Sequence, residues 1–137
     1  MSQLNPYLHF KDNAREAMEF YKTVFGGELT VMQFKDMPMP GMDAAEGEKV
    51  MHSALTAKDI TFFAADTPEH FPTDPGNSIG MSLSGEDESE LRGYFDKLAT
   101  GGNVMQPLEK APWGDTFGML HDKYGIEWMV NVTGQHR

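Results

Sequence analysis

Two stretches, NAREAMEFYKTVFGG at residues 13–27 and DESELRGYFDKLATGG at residues 87–102, carry the decisive pattern of this chain. In the first, Asn13 stands where a helix cap belongs, with Glu16 three residues on as its capping-box partner. Ala14, Ala17, Met18, Tyr21, Val24 and Phe25 then recur at helical spacing, and Gly26-Gly27 ends the run. The second is announced by Ser84 and Asp87, and Glu86, Glu88 and Glu90 suit the positive end of a helix. Leu91, Tyr94, Phe95 and Leu98 supply its apolar face before Gly101-Gly102 closes it. Both stripes predict helices packed on a core.

Working outward, the two stretches belong to a repeat. Phe20-Tyr21 is echoed by Tyr94-Phe95, Gly26-Gly27 by Gly101-Gly102, and Val31-Met32-Gln33 by Val104-Met105-Gln106, each about 74 residues later. Short runs rich in β-branched, aromatic or Met residues read as strands near 3–10, 28–35, 49–57, 60–66, 77–83, 103–108, 115–121 and 126–132. The order is strand, helix, three strands, given twice, so the economical account is a duplicated βαβββ unit of α+β class. Module one spans about 1–66, a linker 67–76, module two about 77–133 and a tail 134–137, all within one domain. The linker is marked by Thr67-Pro68 and Asp74-Pro75-Gly76. Met37-Pro38-Met39-Pro40-Gly41-Met42 is a long excursion between strands, and its thioethers suit an adaptable lid.

Composition narrows the function classes. The 137 residues suffice for a core without staples, and 39% hydrophobic with 23% charged residues argue against a disordered tail or a membrane protein. Lys and Arg total 11 against 21 Asp and Glu, and the resulting charge of −10 repels phosphate backbones and anionic lipid. Nucleic acid and membrane are therefore poor partners, whereas a cationic small molecule suits this field. There are no cysteines, and Met1–Pro6 lacks the basic and apolar regions of a signal peptide, so a cytoplasmic location is expected. No Ser-His-Asp order, P-loop, HExxH or CxxC is present.

Candidate site residues follow from alternation. If Leu8 and Phe10 pack on the first helix, Tyr7 and His9 turn to the opposite, cavity-facing side. Ile126, Trp128, Val130 and Val132 form an apolar set for the second helix, leaving Glu127 and Met129 toward the cavity. His52 lies in a strand whose alternation does not settle its facing. Trp113, between Pro112 and Gly114, sits on a turn, and with Phe62 it is the expected aromatic wall. His9, His52 and Glu127 suit hydrogen bonding to a ligand, acid–base work or an unorthodox metal site. His70, His121 and His136 are expected at the surface.

The combination Pro6-Tyr7-Leu8, Phe10, Asn13-Ala14, Glu16-Ala17, Phe20-Tyr21 and Phe25-Gly26-Gly27 resembles the opening of PhnB-like proteins. Val50-Met51-His52, Trp113-Gly114-Asp115, Asp122-Lys123-Tyr124-Gly125 and Trp128 extend the resemblance to about Val132. These proteins belong to the vicinal-oxygen-chelate superfamily of glyoxalases, bleomycin- and fosfomycin-resistance proteins and extradiol dioxygenases. The resemblance implies a curled mixed sheet around a cavity, half from each module, and a homodimer. Metal-dependent branches would place His or Gln, Glu, His and Glu where this chain has Asn5, Ala64, Ser78 and Met129. No metal and no cofactor are therefore expected at that site. The family also carries a ubiquinone methyltransferase label, yet neither strand-to-helix junction, Phe10 to Asn13 or Leu83 to Asp87, is Gly-rich as a nucleotide-type cofactor would want. The expectation is a small-molecule-binding protein of the bleomycin-resistance type, ligand unspecified. Two alternatives stand beside it: a glyoxalase-like or ring-cleaving enzyme with relocated metal ligands, and a dimeric interaction module with a vestigial cavity.

Overall fold

The computed structural model describes residues 2–36, 44–67 and 78–134. It divides into two units, residues 1–74 and 75–137. In unit one, β1 (Tyr7–Phe10) leads into α1 (Ala14–Phe25), β2 (Glu28–Gln33), a 3-10 turn (Phe34–Asp36), a four-residue α2 (Ala44–Gly47), β3 (Val50–Ala57) and β4 (Ile60–Asp66). Unit two repeats the order with β5 (Met81–Gly85), α3 (Glu88–Ala99), β6 (Asn103–Lys110), β7 (Thr116–His121) and β8 (Glu127–Val132). The sheets run β1-β4-β3-β2 and β5-β8-β7-β6, with only the β1–β4 and β5–β8 pairs parallel. The duplicated βαβββ expectation holds, and the class is α+β.

Strand limits shift by one or two residues at several ends, and two strands start four residues later than expected. β1 starts at Tyr7 because Pro6 offers no N–H to a ladder, though its carbonyl accepts the Phe63 N–H. β5 starts at Met81, opposite Trp128, because its parallel partner β8 begins only at Glu127. The Met37–Met42 excursion, most of the linker, His70 and His136 lie outside the described residues.

The helical stripe of α1 buries Ala14, Ala17, Met18, Tyr21, Val24 and Phe25 as expected. Tyr21 and Phe25 meet the Phe62 ring edge-on at 5.6 and 6.2 Å. α3 buries Leu91, Phe95 and Leu98. Tyr94 is only half-buried, and its hydroxyl donates to Glu90 at the surface. The echoed glycine pairs have one structural cause: Gly26 and Gly101 adopt φ of 73° and 77°, and Gly27 and Gly102 pack against the carbonyls of Thr56 and His121, where a Cβ would clash.

Helix capping divides the two units. Asp87 caps α3 as expected, accepting the Glu90 N–H at 3.0 Å. Asn13 makes no side-chain cap bond, which corrects the capping-box expectation. Asp66, at the end of β4, accepts the Ala14 N–H instead. Among the described residues no helix is long and apolar enough to cross a membrane.

Candidate functional site

The face of unit one opposite α1 carries an aromatic and imidazole cluster. Pairing of Tyr7 with Phe63, His9 with Ala65, Ala54 with Phe63 and Met32 with His52 puts these side chains on one side of the sheet. The Tyr7 hydroxyl and His52 Nδ1 are 3.0 Å apart. His9 stacks on Tyr7 at 5.1 Å, and the Phe63 ring lies 5.9 Å from Tyr7 and 5.4 Å from His52. Burial raises the Tyr7 pKa, so the phenol stays protonated near neutrality. Where it donates to Nδ1, a neutral His52 carries its own proton on Nε2. The hydrogen bond also settles the facing of His52.

Phe62 is not part of this face. Its side chain is 1% exposed beneath α1, and strand alternation gives the open position to Phe63. The expectation that Phe62 walls a ligand cavity is corrected: α1 packs on the side of β4 that carries Phe62, Ala64 and Asp66, and its Tyr21 and Phe25 cover the Phe62 ring. The helix side of the same strand ends in Asp66, whose two oxygens accept the N–H groups of Ala14 and Val50, each at 2.9 Å.

The positions implied for a superfamily metal do not fit one. Asn5 Nδ2 donates to the Thr61 carbonyl at 3.3 Å, and Ala64 is buried on the helix side opposite Ser53. Ser78 and Met129 offer no carboxylate or imidazole. Among the described residues no three His, Cys, Asp or Glu side chains gather as a metal site.

In unit two the open face is organised by irregularities in β6. Register shifts lie between Val104 and Gln106 and between Gln106 and Glu109, so Asn103, Gln106 and Glu109 oppose His121, Met119 and Phe117 in turn. Every third residue of β6 thereby shares a face with every second residue of β7. Beyond this pair the chain turns through Ala111–Gly114, closed by the Ala111 N–H to the Asp115 carbonyl at 2.7 Å. That turn lifts Trp113, 57% exposed, edge-on to Phe117 at 5.9 Å and 62°. A cavity of about 320 Å³ results, bounded by Trp113, Phe117, Met119, Gln106, Glu109 and the turn.

Farther along this face, β8 places Met129 opposite Met119 and Glu127 opposite His121. Glu127 lies 3.4 Å from His121 Nε2. Sequence reasoning assigned His121 to the surface by default, and the cross-strand register of the β7–β8 hairpin was the signal that could have found the pair. Gly80 leaves room for Glu127, since a Cβ there would stand 2.7 Å from its carboxylate. On the helix side Trp128 is core, and its indole N–H donates to buried Asp122 at 2.8 Å. The same carboxylate accepts the Tyr124 and Ile126 N–H groups and holds the hairpin turn. Tyr7, His9 and His52 are thus brought together in unit one, and Trp113 joins Phe117 and Met119 in unit two.

Comparison with known proteins agrees with this architecture. A family profile described as 3-demethylubiquinone-9 3-methyltransferase matches residues 2–131. Protein YjdN of Escherichia coli K12 is 28% identical over 96% of this chain and 96% of its own. The crystal structure of PA1353 from Pseudomonas aeruginosa superposes with a TM-score of 0.87 at 34% identity, covering 98% of this chain and all (100%) of that one. A Bacillus cereus structure called a putative 3-demethylubiquinone-9 3-methyltransferase, PhnB protein, gives 0.73 at 28% identity, covering 96% and 100%. At the level of fold alone, a glyoxalase/bleomycin resistance protein/dioxygenase domain from Frankia sp. EAN1pec matches with a TM-score of 0.66 at 14% identity, covering 99% of this chain and 94% of that one.

Proposed function

The chain belongs to the 3-demethylubiquinone-9 3-methyltransferase family, with the glyoxalase/bleomycin-resistance fold, and we propose that it is a metal-independent binder of a small organic molecule. The observation that carries this reading is the cavity beside Trp113. A large ring left 57% exposed on a tight turn, edge-on to Phe117 and next to Met119, offers apolar area that a ligand can bury. Gln106 and Glu109 at the same cavity supply the few polar groups that orient a guest.

Methyl transfer does not follow from the family's description. A nucleoside-type methyl donor held at a strand–turn–helix junction needs a backbone free of Cβ atoms and free N–H groups at the helix start. Here the junctions are Lys11-Asp12-Asn13 and Glu86-Asp87, without glycine, and one helix N–H at each, of Ala14 and of Glu90, is engaged by Asp66 and Asp87. These residues do not fit that cofactor.

A second reading has one observation in its favour. The Tyr7–His52 hydrogen bond is an acid–base pair on an open sheet face, and it suits an enzyme whose ligands have moved from the superfamily positions. A thermal-shift screen of the full chain with divalent metals and small metabolites separates the two. Binding to the native state raises apparent stability, and the binding reading expects organic compounds, not metals, to do so. About one zinc, nickel, manganese or iron per purified chain, with ring cleavage or glyoxalase activity, would overturn it.

A further inference from the structure

The same cavity has a chemistry that selects among small molecules, and an inference about its occupant rests on the binding reading above. Phe117 and Trp113 meet at 62°, so their faces form two adjoining walls of one corner. Each ring face is the negative end of its quadrupole and attracts a cation placed over it. Glu109 stands directly across from Phe117 on the same face of the β6–β7 pair. Its carboxylate is exposed and has no hydrogen-bond or ion-pair partner among the described residues. The neighbouring Lys110 pairs with Thr116, one position beyond the Glu109–Phe117 pair, and its exposed side chain also lines the cavity. Met119 adds a polarisable apolar surface, and Pro112 closes the turn side.

We infer that this corner binds an alkylated ammonium group, a quaternary or tertiary amine cation carried by a small molecule. A bare primary ammonium would keep more of its water, because beside the Glu109 carboxylate and the Gln106 amide the corner is mostly carbon and sulfur. An N-methylated cation spreads its charge over apolar methyl groups that fit the two rings while the Glu109 carboxylate neutralises the charge. The net charge of −10 draws such a cation toward the chain.

Choline and its uncharged carbon isostere, in which the nitrogen is replaced by carbon, share one shape and differ only in charge. Each is titrated into the full chain at low salt while the Trp113 indole N–H is followed in a proton–nitrogen correlation spectrum. Choline is expected to bind at least about tenfold more tightly than the isostere. Glu109→Gln should erase most of that difference and leave the isostere unchanged, and Trp113→Leu should weaken both. Glu109 and Trp113 are both exposed, so neither change endangers the fold. Equal binding of the two compounds, or binding of the isostere alone, overturns the cation inference and leaves the cavity reading standing. Choline binding that Glu109→Gln and Trp113→Leu do not alter places the cation elsewhere on the acidic surface and also overturns it. If neither compound moves the Trp113 signal, the cation inference falls, and a cavity that binds other organic compounds in the thermal screen survives it.

Discussion

The Asp66 carboxylate accepts the Ala14 N–H at 2.9 Å and so caps a helix that begins 52 residues earlier in the chain. Its second oxygen ties down the Val50 N–H at the start of β3, so one side chain at the end of β4 joins three elements of unit one. Asp66→Ala leaves both N–H groups without their partner in a buried setting. It should cost about 1–3 kcal/mol for each group left unpaired, read as a lowered urea midpoint.

The same carboxyl predicts a pH dependence. Burial raises the Asp66 pKa more than the Val50 and Ala14 hydrogen bonds lower it. The folded chain therefore holds this proton more tightly than the unfolded chain, and the stability it contributes is present on the acid side. That contribution is lost as pH rises from the unfolded value near 3.8 through the folded one. Urea unfolding of wild type and Asp66→Asn from about pH 4 to about pH 7 should show the wild-type advantage shrinking with rising pH. An advantage that grows with pH means the two backbone hydrogen bonds outweigh the burial.

Adjacent phenylalanines should respond in opposite ways. Phe62 fills the space under Tyr21 and Phe25, so Phe62→Ala should destabilise by about 3–5 kcal/mol. Phe63 is half-buried beside Tyr7 and His52, and Phe63→Ala should cost less than about 2 kcal/mol while altering the environment of His52 in its imidazole NMR signals. Equal costs would contradict the facing of β4.

The two tryptophans also divide. Trp113→Ala should change stability by no more than about 0.5 kcal/mol, because the ring is 57% exposed, yet weaken a cavity ligand by about 1–3 kcal/mol. Trp128→Phe removes the indole donor from buried Asp122 and should cost about 1–3 kcal/mol of stability without touching the cavity. Ligand-dependent fluorescence quenching that survives in Trp113→Phe would place the ligand elsewhere.

Gly118 is a packing requirement. A Cβ there would lie 2.8 Å from the Phe95 ring and 2.9 Å from the Leu108 Cα, and the second contact is backbone that cannot swing away. Gly118→Ala should lower stability by about 1–3 kcal/mol, measured by thermal melting. Adding Phe95→Leu should recover only part of it.

Much of this protein was legible in one dimension because its signals are local. Helical stripes at Ala14–Phe25 and Leu91–Leu98, the Asp87 cap and the Gly26-Gly27 and Gly101-Gly102 stops each lie within a few turns of chain. Alternation likewise put Tyr7 and His9 opposite Phe10, and Glu127 and Met129 opposite Trp128, because a strand's facing needs only its own apolar set.

What remained hidden depends on pairing between distant segments. Val50–Ala57 has small residues on both faces, so only pairing with its neighbour strands and the Tyr7 hydrogen bond settle where His52 points. The middle of β4, Phe62 to Ala65, is apolar on both faces and gives no preference between Phe62 and Phe63 until α1 lands on one side. The cap on α1 comes from Asp66, a residue that no window around Asn13 contains. The cavity depends on register shifts that turn Gln106 and Glu109 toward the same side as Phe117 and Met119. The sequence alone therefore determined the repeat, the helices and the acidic charge, all carried by neighbouring residues or by composition. Tertiary structure decided the cap, the facing of β4 and the cavity, because each requires a partner strand to choose between two local arrangements of nearly equal energy.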